Sequence, residues 1–178
     1  MTTRTRLYSP FIDNTPVSSI RIVAHYHLSQ VSSASLGHWS IYLCKPNNGG
    51  STRINMRAIR GEPRGILDWT AHSYDMPITK IMHWDWPVSQ GSEVQHFANF
   101  ISALGRDQYT FSAANNGGCR YWVATVLSDF ANAGLIRPDA FQSMLGNMRY
   151  QYYENTPPTW LDVIPGTFGN GYVLPEFR

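Results

Sequence analysis

Two kinds of side chain in this sequence could do nucleophilic chemistry together: the thiol of Cys119 and an imidazole from among six histidines. A cysteine attacks as its thiolate, so the setting of the sulfur decides its use. Cys119 follows the polar, glycine-rich turn Asn115-Asn116-Gly117-Gly118 and opens the run CRYWVATVLSDFANAG. In that run Trp122, Val123, Val126, Leu127 and Phe130 recur at helical spacing, and Gly134 closes it. The first turn of a helix offers unpaired N–H groups and the positive end of the dipole, which both favour a thiolate. The N–H of Cys119 could donate to a developing oxyanion. Gly117 and Gly118 let the chain turn sharply and leave room for a substrate beside the sulfur. Cys44 ends an alternating strand and reads as a buried, inert thiol. A Cys44–Cys119 disulfide is the competing reading for a secreted chain.

Such a thiol needs a base, and imidazole is the usual one. His38 stands out because it begins the run HWSIYLC (38–44), on the side opposite Trp39, Ile41 and Leu43. The turn-forming Pro46-Asn47-Asn48-Gly49-Gly50 follows, and residues 52–59 alternate again, so the segment reads as a β-hairpin. If Trp39, Ile41 and Leu43 face a core with Ile54 and Met56, His38 shares its face with Asn55, opposite or diagonal to it. The Asn55 amide could then accept from the ring N–H and fix the tautomer, the third role in a Cys/His/polar arrangement. Trp39, Tyr42, Gly118 and Trp122 are the candidate substrate-contacting residues around this centre.

The elements that must position these groups follow from pattern. Strands are expected over 18–28 and 78–84 and a helix over 92–104, ended by Gly105. The residues after 135 form a Pro-, Gly- and aromatic-rich tail with a short helix around 138–148, wrapped over the body. Strands come first and helices after, which gives an α+β class with a small antiparallel sheet packed on helices. Residues 1–178 read as one domain, with a core over 18–134 and a tail over 135–178. Hydrophobic residues at 43% against 15% charged exclude a disordered chain. Arg57, Arg60 and Arg64 are the nearest approach to a basic run and read as a solvated loop, so no nucleic-acid partner is expected. No apolar stretch approaches the roughly 20 residues of a membrane span. The N-terminus lacks the apolar run of a secretory signal, which points to the cytoplasm and reduced thiols.

The strand His-Trp-Ser-Ile-Tyr-Leu and its hairpin resemble the His-containing strand of lecithin retinol acyltransferase and its relatives. The later stretch is similar to their second half: a helix ending in Leu104-Gly105-Arg106, then Tyr109, then Asn115-Asn116-Gly117-Gly118-Cys119. PPPDE-type deubiquitinating and desumoylating peptidases share this order. All belong to the circularly permuted NlpC-type branch of papain-like enzymes, in which histidine precedes cysteine. The resemblance covers roughly residues 36–134 and implies Cys119 as nucleophile, His38 as base and Asn55 as orienter. It also implies a permuted papain-like fold, no cofactor, and a small-molecule or peptide acyl substrate. Two features differ from those groups: Gly118 stands where Asn often precedes the cysteine, and Arg120-Tyr121-Trp122 follows it. The Gly-Cys-Arg-Tyr-Trp stretch is also similar to the core of a fungal domain family written Gly-Cys-Arg-Tyr/Phe-Trp.

The reading is therefore a thiol hydrolase or acyltransferase acting through a Cys119 thioester, with a place in small-molecule biosynthesis among its outcomes. Three others compete. His25-x-His27 puts two imidazoles on one face of a strand, where His83 or His72 could complete a metal site. A non-catalytic binding module could keep the same shell. A cyclase or isomerase could work through its pocket alone, without a nucleophilic Cys119.

Overall fold

The computed structural model describes residues 8–26, 37–112 and 118–177. Its larger sheet has seven strands in the order β5-β1-β2-β3-β4-β6-β9. In chain order these are β1 (Ser19–His25), β2 (His38–Cys44), β3 (Ser51–Ile59), β4 (Glu62–His72), β5 (Lys80–Pro87), β6 (Tyr109–Thr110) and β9 (Thr167–Phe168). Each of its strand pairings is antiparallel. A two-stranded ribbon joins β7 (Tyr150–Gln151) to β8 (Thr159–Trp160). The helices are α1 (Val94–Ala103), α2 (Cys119–Asn132) and α3 (Ala140–Leu145). The class is α+β, as the order of elements implies.

The β2–β3 hairpin forms with Ile41 opposite Ile54 and Cys44 opposite Ser51. Trp39, Ile41, Leu43, Ile54 and Met56 all face the main core, together with Ile20, Ile22 and Ala24 of β1. The strand alternation therefore sends His25, His38, Ser40, Tyr42, Arg53 and Asn55 to the opposite, outer face. Val23, Tyr42 and Cys44 form a small apolar cluster there.

The sequence pattern fails at β4, which pairs with β3 from Ser51–His72 to Ile59–Glu62. Arg57 and Arg64 consequently belong to strands rather than to a loop, with Arg60 between them. Pro63, Gly65 and Asp68 are residue types depleted in strands, which hides this one. Gly65 is required by close approach, because a Cβ there would lie 2.6 Å from the Met56 sulfur and 2.8 Å from the Phe111 ring.

From the end of β4, residues 73–79 cross to the far edge of the sheet over its outer face. Ser51 Oγ donates to the Tyr74 carbonyl and Arg21 Nη1 to the Asp75 carbonyl, each at 2.7 Å. At the far end Tyr26 N–H donates to the Thr79 carbonyl at 3.0 Å. On this face Val23 and Cys44 are buried. His38, Arg53 and Asn55 are partly exposed there.

Helix α2 is buried on every side, from Arg120 to Ala131. The sheet takes one flank, and the C-terminal segment takes the other with α3, Leu174 and Phe177. Leu174 N–H donates to the Tyr121 hydroxyl at 2.9 Å. Arg106 forms a two-point ion pair with Asp129 of α2 at 2.7 and 3.2 Å, and its guanidinium carbon lies 3.8 Å from the centre of the Tyr172 ring. A charge pair this enclosed needs such geometry, since desolvation otherwise outweighs the Coulomb attraction.

Candidate active site

The ladder between β2 and β3 ends at Ile41–Ile54, although β2 continues back to His38. Past that point the β3-facing backbone groups of β2 have no strand partner. Cys119 takes them: its sulfur lies 3.9 Å from the Gly37 carbonyl and receives the Trp39 N–H. These two groups flank His38. The helix start, placed by sequence at Cys119, therefore docks against the backbone of the residues on either side of the proposed base.

The His38 ring lies on the outer face, where its Nε2 meets Asn55 Oδ1 at 2.5 Å. With a carbonyl-type oxygen accepting there, Nε2 is the nitrogen that donates. The structure thus joins His38 and Asn55 across the opening between β2 and β3.

Burial pushes the Cys119 thiol above its ordinary value. The opposing influences are the N–H groups of Trp39, Arg120 and Cys119 and the charge of Arg120, and together they are smaller. The helix start does favour the thiolate, as its position implies, but desolvation dominates at rest. Cys44 is pushed up as well, chiefly by burial. Both cysteines are free thiols.

The spare room at Gly118 is used by the protein itself. Gly118 adopts φ 134°, and a Cβ there would lie 2.7 Å from the Tyr109 hydroxyl and 3.2 Å from the Phe111 ring. Tyr109 Oη donates to the Gly118 carbonyl at 2.9 Å and accepts from Gly166 N–H at 3.0 Å. Gly118 is thus a packing position against Tyr109 and Phe111. Asn115, Asn116 and Gly117 lie outside the described residues. Trp122 is fully enclosed and donates through Nε1 to the Arg106 carbonyl at 2.7 Å, so it too serves the core. Tyr42 is buried on the outer face beside His25.

Trp39 stacks on Trp84 with ring centres 5.4 Å apart and borders a half-open recess. That recess is shallow, with a cavity volume of about 10 Å³, and Gly37, Arg120, Tyr152 and Leu161 also line it. Arg120, which the sequence marks only as part of the motif after the thiol, has a structural task here. It is buried and donates to the carbonyls of Met148 and Leu161, each at 2.9 Å, and of Asp162 at 3.2 Å. The residue after the thiol therefore ties the C-terminal segment to the site. Position two of a helix ordinarily reads as solvated surface, so the Gly-Cys-Arg-Tyr-Trp stretch marks Arg120 without giving it this task.

Of the histidines weighed as metal ligands, His25 has both ring nitrogens engaged, Nδ1 with Thr79 Oγ1 at 2.8 Å and Nε2 with Ser40 Oγ at 2.6 Å. Burial, with the nearby His38 and Arg53, pushes its pKa down to about 3. His72 contacts Thr70 Oγ1 at 3.1 Å and stacks on Tyr74. His27 lies outside the described residues. Among the described residues no three His, Cys, Asp or Glu side chains are grouped to hold a metal ion. Among them, too, no helix is long and apolar enough to cross a membrane.

Residues 20–169 match the model of a family described as a domain of unknown function, DUF7770. The chain belongs to that family. No curated protein and no solved structure matches it. The DUF7770 match begins within β1 and ends just after β9, so it includes His38, Asn55, Tyr109 and Cys119 and the strand that closes on Tyr109.

Proposed function

We propose that this DUF7770 domain is a thiol hydrolase or acyltransferase with Cys119 as nucleophile, His38 as base and Asn55 as the residue that orients it. The observation that carries the reading is the docking of the Cys119 sulfur against the backbone on either side of His38, a histidine whose ring is held by Asn55. A permuted papain-like arrangement, with a histidine strand before a cysteine helix, accords with this placement.

In this mechanism the resting nucleophile is a thiol, because burial disfavours the thiolate. When a carbonyl enters, Nδ1 of His38 takes the thiol proton and the sulfur forms a bond to the carbonyl carbon. The N–H groups at the start of α2 and at Trp39 then stabilise the oxyanion. Collapse breaks the carbon–nitrogen or carbon–oxygen bond, and His38 returns its proton to the leaving amine or alcohol. Water, an amine or an alcohol next attacks the thioester and regenerates the thiol. The substrate is a small-molecule or peptide acyl compound in the cytoplasm, and no cofactor takes part.

The raised pKa of the partly buried Cys119 thiol favours a second reading, a binding module that retains the shell without covalent chemistry. Intact mass measurement separates the two. Incubation with a p-nitrophenyl ester followed by an acid quench is expected to leave an acyl adduct on Cys119, absent in Cys119→Ser. A folded protein that forms no adduct with short or long acyl esters supports the binding module instead.

A further inference from the structure

Arg53 points from β3 to the outer face of the sheet, between Tyr42 of β2 and Thr70 of β4 in register. Its Nε is buried and has no hydrogen-bond partner. Among the described residues no carboxylate pairs with it, whereas Arg21, Arg57, Arg106 and Arg137 are each paired with an aspartate. A desolvated guanidinium nitrogen without an acceptor costs free energy, and native proteins rarely leave one so.

Arg53 lies among aromatic and imidazole rings. Its guanidinium carbon lies 6.0 Å from the centre of the Tyr42 ring. Its charge lowers the pKa of both His25 and His72, which places it amid those imidazoles. Two acids of this face pair elsewhere, Asp68 with Arg57 and Asp85 with Arg21; Asp75 gives its backbone carbonyl to Arg21, and its buried Oδ1 likewise has no hydrogen-bond partner. Along β3, Arg53 precedes Asn55 by two residues on the same face, a step of about 7 Å.

We propose that Arg53 is the anchor of a binding site for an anionic group, a carboxylate or a phosphate, carried by a small ligand on this face. A planar guanidinium offers Nε–H and Nη–H in the fork that such a group accepts. Thr70 Oγ1 is the side-chain hydroxyl in register beside it. The site stands independently of the chemistry of Cys119. On the thiol reading, the anion would be the acidic group of the acyl substrate, one dipeptide step along β3 from the His38–Asn55 pair.

The test titrates inorganic phosphate and, separately, succinate into the full chain at constant ionic strength, following thermal unfolding and heat of binding. The expected result is a saturating stabilisation by at least one of the two anions, and which one binds tells phosphate from carboxylate. Arg53→Gln is expected to weaken that binding about tenfold or more, whereas Arg57→Gln, on the same strand, leaves it unchanged. Arg53→Lys keeps the charge without the fork and is expected to fall between them. If Arg53→Gln does not fold, the Arg53→Lys comparison alone decides. Failure of both anions to give a saturating response in the native protein would overturn the proposal, as would equal binding by the Arg53 and Arg57 variants. Neither result bears on adduct formation at Cys119, so the two proposals fail separately.

Discussion

The hydroxyl of Tyr109 donates to the carbonyl of Gly118, the residue immediately before Cys119, at 2.9 Å. The same oxygen accepts from Gly166 in the C-terminal segment, so one phenol fixes both the turn that aims the thiol and the strap beyond it. Burial pushes the Tyr109 pKa far up, which keeps the hydroxyl a donor at any working pH.

Tyr109→Phe keeps the ring and removes both bonds, leaving the partly buried Gly166 N–H unpaired while the Gly118 carbonyl keeps only the Trp122 N–H. The expected loss is about 1–3 kcal/mol in urea unfolding, with faster proteolysis near Gly166. An unchanged midpoint would mean that the bonds contribute nothing net.

Gly118→Ala meets two obstacles, a φ of 134° that side chains rarely adopt and a Cβ 2.7 Å from the Tyr109 hydroxyl. Strain and overpacking together should cost about 2–5 kcal/mol. Circular dichroism melts of the variant are expected to fall well below those of the native chain. A stable, native-like Gly118→Ala protein would contradict the packing described for this turn.

Arg120 is expected to hold the C-terminal segment through its three carbonyl contacts. Arg120→Met removes a buried cation along with its partners' donors and should release residues 148–162 to limited proteolysis. Cleavage rates in that segment equal to those of the native chain would show that the clamp is dispensable.

His25 gives the fold a pH dependence. Its folded pKa, about 3, lies below its ordinary value of 6.5, so the unfolded state binds the proton more readily. Stability from this group is present in full above about pH 6.5 and is lost as pH falls toward 3. Between pH 7 and pH 5 the native chain should lose about 2 kcal/mol more than His25→Gln. His72 and His83 are also pushed down, by burial first, and act with the same sign in both proteins, so they cancel in the comparison. Parallel pH profiles would remove His25 as the cause.

The features legible in the sequence are those with local period. Alternation over 38–44 and 52–59 gives the hairpin and the shared face of His38 and Asn55, and the glycine-cysteine junction gives the start of α2. The features missed depend on distant partners. β4 carries Pro63, Gly65 and Asp68 and is held by its long pairing with β3. Two-residue β6 has no pattern from which the task of Tyr109 could be read. Gly118 and Trp122 suggest substrate contact from their neighbourhood to Cys119, but Tyr109 and Arg106 claim them from across the fold. The sequence setting of Cys119 shows the helix dipole and not the burial that opposes it.

The most direct test of the central claim compares alkylation of Cys119 by iodoacetamide in the native chain and in His38→Gln, at pH 7, with peptide mass spectrometry and Cys44 as internal control. If His38 is the base, the Cys119 rate falls about tenfold or more in the variant while the slow Cys44 rate is unchanged. A Cys119 rate that is the same in both folded proteins would contradict the pairing of Cys119 with His38.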